Sequence, residues 1–543
     1  MSTSRLALLA VIVVGAFLRA VVAAQGWFYG DDLTLGAQAR AEGLGTLLFQ
    51  PHDGHLMPGA WVILWLLPPL NWPVTLAALI VLQAVAAVAV AYAAVRTAPG
   101  NAWWVTALYL LTPLTLAVTT WPAAAVNSLP LHAAAAIWLA HGWLYLQRRR
   151  RSDLVIVVVA ILVACLFSER AILLAMVSLY LLWVWPYPRQ NRLNLVRMMP
   201  FFLLPPALWA LVYAFVAGVP DKEIDLSASA ALFGHGYLRG FLPTLVGAPW
   251  TWQRWHPGPP FADPTAAAVI AGVLAAVALL VWAARRRGLA AMVVVFVYPV
   301  LALGALILGR SGPDTAPEIA QTLRHFAEVS VLLVLTLGVL AGPGRRKAII
   351  VALVAVSSLV STVTYAQSWS QQPAREYFTT LQAELEQRRE PILDQPVALE
   401  VLLPVAYPYN QLSSLLPEGQ VTGATQEPTL VDGSGHLIAA ELAPARATAW
   451  EPGCVEPGSE LLVPLDGPLF ERDWVVRLNV LAAGATGVTV GLGEGQPTSA
   501  QVPSGLSEVF VRVSGGGDTL RVSARDQTVC LGQNVVGQLA VTQ

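Results

Sequence analysis

Apolar stretches long enough to cross a bilayer, about 20 residues each, recur through the first two-thirds of the chain and then stop. They fall near 6–24, 73–95, 102–120, 123–146, 198–217, 264–284, 289–308, 326–342 and 347–366. A further run, 154–185, is too long for one crossing and short for two, and Ser168-Glu169-Arg170 interrupts it. Between the first two spans, Leu33 to Phe49 has helical spacing with Gly breaks, and Met57 to Leu70 is apolar up to Pro68-Pro69. This pattern predicts two juxtamembrane helices near the interface. After Tyr365 the pattern changes: Pro373 to Glu390 predicts an amphipathic helix and Pro396 to Leu403 a strand. From about 436 the period is two. Trp474, Val476, Leu478 and Val480 alternate with Val475, Arg477 and Asn479, and Val509, Val511 and Val513 alternate with Phe510 and Arg512. Gly-rich segments such as Gly515-Gly516-Gly517-Asp518 are expected to be the turns of a small β-sandwich or jelly roll. The expected organisation is a transmembrane domain over 1–367 with loops at 25–72, 218–263 and 309–325, a linker with an amphipathic helix over 368–435, and a mainly-β domain over 436–543.

Composition agrees with a polytopic α-helical membrane protein. Of 543 residues, 56% are hydrophobic and 12% charged, about half the charge of a soluble domain. A formal net charge of -1 provides no global field to attract nucleic acid. Basic residues cluster at Arg5, Arg96, Arg148 to Arg151, Arg189/Arg192/Arg197, Arg285 to Arg287 and Arg345-Arg346-Lys347. If 154–185 forms two short spans, all of these clusters share one side, which the positive-inside rule makes cytoplasmic. That gives about eleven helices in the cell (plasma or inner) membrane, with a cytoplasmic amino terminus and an extracytoplasmic β domain. Cys165 lies in an apolar run, while Cys454 and Cys530 both fall in the tail and can form one disulfide on an oxidising side.

In this orientation the acids and histidines gather outside: Asp31-Asp32, Pro51-His52-Asp53-Gly54-His55, Glu169-Arg170, and the loops 218–262 and 309–325. An enzyme on that face has no cytosolic nucleotide donors and must use a group carried there on lipid. The chemistry then needs a carboxylate to take a proton from an acceptor hydroxyl, and cations to hold a departing phosphate. Asp31 and Asp32 are the candidate bases. Arg324, His325, Arg310 and Arg170 are candidates for the phosphate, Arg in a bidentate manner. His52, Asp53, His55, Glu169, Trp252 and His256 are candidate substrate contacts, although tryptophans also mark membrane interfaces. The 218–262 loop adds Asp221-Lys222-Glu223, Arg254, Trp250 and Trp255. Arg19, inside the first span, is expected to snorkel outward. No cofactor follows from the sequence; a divalent cation (Mg2+, Mn2+ or Ca2+) at Asp32 and His55 is left open. The bland alternatives are a helix cap for the Asp doublet, a polar turn for the histidines and interfacial anchors for Arg324 and His325.

The acidic doublet Gly30-Asp31-Asp32 directly after the first span, the stretch His52-Asp53-Gly54-His55-Leu56-Met57-Pro58, the juxtamembrane helices, the helix count and the outer carboxy-terminal domain resemble the GT-C superfamily of integral-membrane glycosyltransferases. Arg375-Glu376-Tyr377-Phe378 after the last span resembles actinobacterial members, among them arabinofuranosyl- and mannosyltransferases of envelope glycans. The resemblance implies an inverting transfer from a polyprenyl-phosphate-linked sugar to a glycan acceptor, with Asp31 or Asp32 as the base. The rival classes are a transporter or flippase of lipid-linked saccharides and a non-catalytic envelope scaffold.

Overall fold

Each apolar stretch marked out by the sequence is helical. The structure, a computed structural model, describes residues 3–185, 192–218, 225–312, 314–342, 346–388, 390–448 and 453–542. Arg189, Arg345 and Asp221-Lys222-Glu223 lie outside these ranges. The chain divides into two compact units, Met1–Gln372 and Pro373–Gln543.

The first unit opens with α1 (Thr3–Ala24), followed by two short helices, α2 (Asp31–Ala41) and α3 (Pro58–Leu66), in the expected juxtamembrane segment. Next come α4 (Trp72–Thr97), α5 (Ala102–Leu111), α6 (Leu116–Thr120) and α7 (Pro122–Arg148). Proline at the first turn starts α3, α4 and α7, where its missing N–H costs nothing. The Asn71 side chain accepts the Val74 N–H to cap α4. The run 154–185 splits as expected into α8 (Arg151–Cys165) and α9 (Arg170–Val184). Then follow α10 (Arg192–Val216), α11 (Ala266–Arg285), α12 (Leu289–Arg310), α13 (Val329–Leu340) and α14 (Arg346–Trp369). Seven of the described helices are long and apolar enough to cross a membrane, or eight if the bent pair α5–α6 is one span. The shorter α8, α9 and α13, of 15, 15 and 12 residues, stand where the sequence placed the remaining crossings but fall below the length that spans a bilayer. The outer faces of α1, α10, α11 and α14 leave large aliphatic side chains exposed, as lipid contact requires, while α7 is the most enclosed span.

Arg19 corrects one expectation. It does not snorkel outward but is buried, at 2% exposure. Thr112-Pro113 breaks α5 from α6 with a 55° bend, which would orphan carbonyls at membrane depth. Arg19 Nε donates to Leu110 O at 2.8 Å, and Nη2 donates to Thr112 O at 2.7 Å and Thr115 Oγ1 at 3.1 Å. The arginine thus closes the break from a neighbouring helix.

The second unit begins with α15 (Pro373–Gln387), the expected amphipathic helix, whose Tyr377, Phe378 and Leu381 are buried. From Thr429 onward its strands are β1 (Thr429–Val431), β2 (Leu437–Ala447), β3 (Gly453–Val455), β4 (Glu460–Ala482), β5 (Thr486–Leu492), β6 (Thr498–Val502), β7 (Gly505–Ala524), β8 (Val529–Leu531) and β9 (Val535–Val541), preceded by three two-residue strands at Ile392–Leu393, Val421–Thr422 and Ala424–Thr425. The main sheet runs β6-β5-β7-β4-β9-β2-β1, with β8 joining β3 to β4. Here the mainly-β domain is one connected sheet. Trp474, Val476, Leu478, Val509, Val511 and Val513 share one core cluster, and Val475 and Phe510 pack in a second on the opposite face. Cys454 and Cys530 sit opposite each other in β3 and β8 and form the expected disulfide.

Two local expectations in this unit are overturned. Gly515-Gly516-Gly517 does not end a strand; it lies inside the long β7, where the pairing with β4 shifts register. A Cβ on Gly515 would meet Leu492 O at 2.4 Å and one on Gly516 would meet Glu471 N at 2.7 Å. The glycines therefore permit a close-packed bulge, which bends a strand without terminating it. Pro396 to Leu403 is not a strand. Its amides at Val401 and Leu402 both turn back to Ala398 O, and Pro396 has no N–H to offer a ladder.

Candidate active site

Gly30 takes φ +49°, a conformation that side-chain-bearing residues rarely adopt. This turn aims Asp31 and Asp32 differently although they are adjacent in the first turn of α2. Asp32 is 7% exposed. Its Oδ1 accepts the Ala123 N–H at 2.7 Å, at the start of α7, and its Oδ2 accepts the Tyr29 N–H at 3.2 Å. Asp32 therefore bolts together the amino termini of two helices, whose dipoles favour a carboxylate there. Asp31 keeps a side chain 44% exposed, 3.6 Å from Arg324 Nη1. Burial pushes the Asp32 pKa well above the carboxylate range, against its two backbone donors. A raised pKa alone would recommend Asp32 as a base, but geometry comes first, and both of its oxygens are taken where an acceptor hydroxyl has no access.

Arg324 is placed by Leu323, a non-glycine residue at φ +59°. Its guanidinium lies 4.1 Å from the centre of the Trp121 ring, and Trp121 packs on Tyr29 at 5.0 Å. Burial lowers the Arg324 pKa and Asp31 partly restores it. With only the loose ion pair to Asp31 and an Nε that has no hydrogen-bond partner, Arg324 retains donors for an anion. His325 is next in the chain, and its Nε2 is also unpartnered.

The other sequence candidates meet in pairs around this point. His55 Nδ1 is 2.9 Å from Glu169 Oε1, and Asp53 Oδ2 is 3.3 Å from Arg310 Nη2. His52 and His55 exchange backbone hydrogen bonds across the turn. Tyr213 Oη of α10 donates to Gly54 O at 2.6 Å and pins the same turn. Arg170 is committed: Nη1 pairs with Glu328 Oε1 at 2.6 Å and donates to Arg324 O at 2.8 Å, while Nη2 donates to Ser128 Oγ at 3.2 Å. It supports Arg324 from behind, so the geometry gives it a holding role more readily than a phosphate.

Trp252 stands apart from these pairs. Its Nε1 donates to Ser361 O at 3.0 Å on α14, and its ring meets Tyr365 edge-on. The loop that carries it still reaches the doublet, because a Cβ on Gly30 would lie 3.3 Å from Pro257 O, beside His256. Arg254 in that loop stacks on Tyr29 at 4.8 Å and is anchored through Nε to Gly258 O at 2.8 Å.

Sequence reasoning missed Glu328, which is 0% exposed, and counted Arg254 only among the polar residues of the 218–262 loop. A lone acid opening an otherwise apolar span was the available signal for Glu328.

The donor set does not suit a divalent cation at Asp32 and His55. Asp32 spends both oxygens on backbone amides, and His55 faces Glu169. No group of three His, Cys, Asp or Glu that could hold a metal occurs among the described residues, and the ion-pair partners of Asp31 and Asp53 are arginines.

Acid stability should report on His325, whose Nε2 is shielded from solvent. Burial, then the nearby Arg324, Arg170 and Arg310, lower the His325 pKa well below its ordinary value. Burial shifts His52 the same way. Below about pH 6.5 the unfolded chain takes up protons that these folded sites refuse, so stability falls as pH drops through that value. Burial would raise Glu169, but His55 and Arg170 outweigh it and hold the carboxyl below its usual range. That contribution is lost in turn below about pH 4.3, the unfolded value. The melting temperature of the purified protein should decline between pH 7.5 and 5, and His325→Asn should flatten part of that decline. A melting temperature independent of pH over this interval would contradict a neutral His325.

No family model matches the chain, and no curated protein matches it. Among solved structures it is similar to the arabinosyltransferase EmbB from Mycobacterium smegmatis, solved by single-particle cryo-electron microscopy. The two share 12% sequence identity over 98% of this chain and 64% of that chain, with a TM-score of 0.28. The chain thus spans less than two-thirds of that structure's length, and a likeness at this level transfers no residue role.

Proposed function

We propose that this chain is a membrane glycosyltransferase that moves a sugar from a polyprenyl-phosphate donor to a cell-envelope glycan on the extracytoplasmic face. The observation that carries the reading is the pairing of an open carboxylate, Asp31, with a half-buried guanidinium that keeps spare donors, Arg324. A one-step displacement at an anomeric carbon requires a base and a phosphate-binding cation at one site. At 3.6 Å the two pair directly, so in this reading the ion pair parts as donor and acceptor enter between them.

In this reading Asp31 takes the proton of the acceptor hydroxyl as its oxygen bonds to the anomeric carbon. The bond from that carbon to the phosphate oxygen breaks on the opposite side, with inversion. Polyprenyl phosphate departs against Arg324, with His325 Nε2 able to donate in its neutral tautomer. Asp32 and Gly30 set the direction of Asp31, and Arg170 with Glu328 holds the backbone of Arg324. The His52-Asp53-Gly54-His55 turn and the loop through His256 flank the gap where sugars would lie. Arabinofuranose and mannose are the sugars that the family resemblance suggests.

The test is transfer of label from polyprenyl-phosphate-linked sugars to envelope glycan in membranes that carry the chain. Arg324→Ala should lower transfer about 10²- to 10³-fold, the usual loss for one donor to developing charge. Unchanged transfer in that variant, or none from any lipid-linked sugar in the unsubstituted chain, would remove the proposal.

A further inference from the structure

The second unit exposes an apolar protrusion between Pro396 and Pro408. Val405 is 90% exposed, and Leu399, Leu403 and Tyr407 are exposed beside it together with Pro404 and Pro408. These side chains are presented by a folded loop. Val397, Val401 and Leu402 turn inward and are buried, as are Asn410 and Gln411. The loop also pairs its own backbone: Val397 N–H donates to Asn410 O, Leu402 N–H to Ala398 O, Ala406 N–H to Leu403 O, Tyr407 N–H to Pro404 O and Tyr409 N–H to Ala406 O.

We propose that this protrusion is a membrane-docking element, inserted into the headgroup and upper acyl region of the bilayer that the helices of the first unit cross. Three observations select lipid over other occupants. First, α14 ends at Trp369 and this unit begins at Pro373. Four peptide steps span at most about 14 Å, so the first residue of this unit is tethered within that reach of the end of a membrane helix. Second, a loop that pairs its backbone internally loses little when it leaves water, which is the condition for entering a membrane. A glycan-binding loop would instead present unpaired polar groups. Third, Glu400 is the one charged residue between Pro396 and Pro408, so the tip is nearly free of charge, and a tyrosine among aliphatic residues is the composition of an interfacial anchor. This inference does not depend on the transferase reading.

The full-length protein allows a clean test. Cys165 is buried and Cys454 is bonded to Cys530, so Val405→Cys adds the accessible thiol. An environment-sensitive fluorophore there, in nanodiscs of phosphatidylcholine and phosphatidylglycerol, should shift to the blue relative to detergent. Nitroxide-bearing lipid should quench it several-fold more than the same dye at Asp518→Cys, an exposed polar position in β7. Two outcomes overturn the proposal. One is quenching at position 405 no greater than at 518. The other is a blue shift that lipid nitroxide leaves unquenched and that grows with two copies per disc, which would assign the surface to a second copy of this chain.

Discussion

Asp31→Asn should abolish most sugar transfer, by about 10²- to 10⁴-fold, the range for removing a general base, while the protein still folds and inserts. The side chain is half exposed, and its ion pair to Arg324 is long at 3.6 Å, so the exchange removes little structure. Asp32→Asn should behave differently. The amide would have to present its NH₂ to one of the two backbone N–H groups now served by Oδ1 and Oδ2, leaving a buried donor facing a donor. Its main effect should be a lower melting temperature, with transfer lost in proportion to the misplacement of α2. Measuring transfer and thermal stability on both variants separates the roles. Full activity in Asp31→Asn with loss confined to Asp32→Asn would reverse the assignment of the base.

The largest effect on stability is expected at the Arg170–Glu328 pair. Glu328 is fully buried and its partner nitrogen is 2.6 Å away. Arg170→Ala leaves that carboxylate alone, which costs about 3–5 kcal/mol, and it also releases the Arg324 carbonyl. The double replacement Arg170→Met with Glu328→Leu strands no charge and should recover most of the lost stability. Transfer should not recover with it, because nothing then holds the backbone of Arg324. Thermal unfolding in detergent, read beside the transfer assay, checks both halves. Equal stability of the single and double variants would show that the pair is not coupled as described.

Much of this molecule was legible one residue at a time. Hydrophobic run length marked the spans because a helix in lipid must satisfy its own backbone and match the bilayer. The Ser168-Glu169-Arg170 interruption foretold the α8–α9 hairpin, and period-two alternation located β4 and β7. Two tail cysteines indicated a disulfide. The candidate set around Asp31 was also within reach, since polar residues at the mouths of apolar helices are few.

Partners, directions and burial depended on the tertiary structure. Which acid faces the gap follows from the Ala123 amide, 91 residues away. Arg19 turns inward because a break between α5 and α6 leaves carbonyls that only another helix can reach. Arg170 serves Glu328 and Arg324, far along the chain, and the three glycines of β7 form a bulge because β4 and Leu492 crowd them. Hydrophobicity is a property of a local stretch and survives reading in one dimension. Hydrogen bonds and ion pairs at a site are chosen by whatever folding brings within about 3 Å, and that is a property of the whole packed chain.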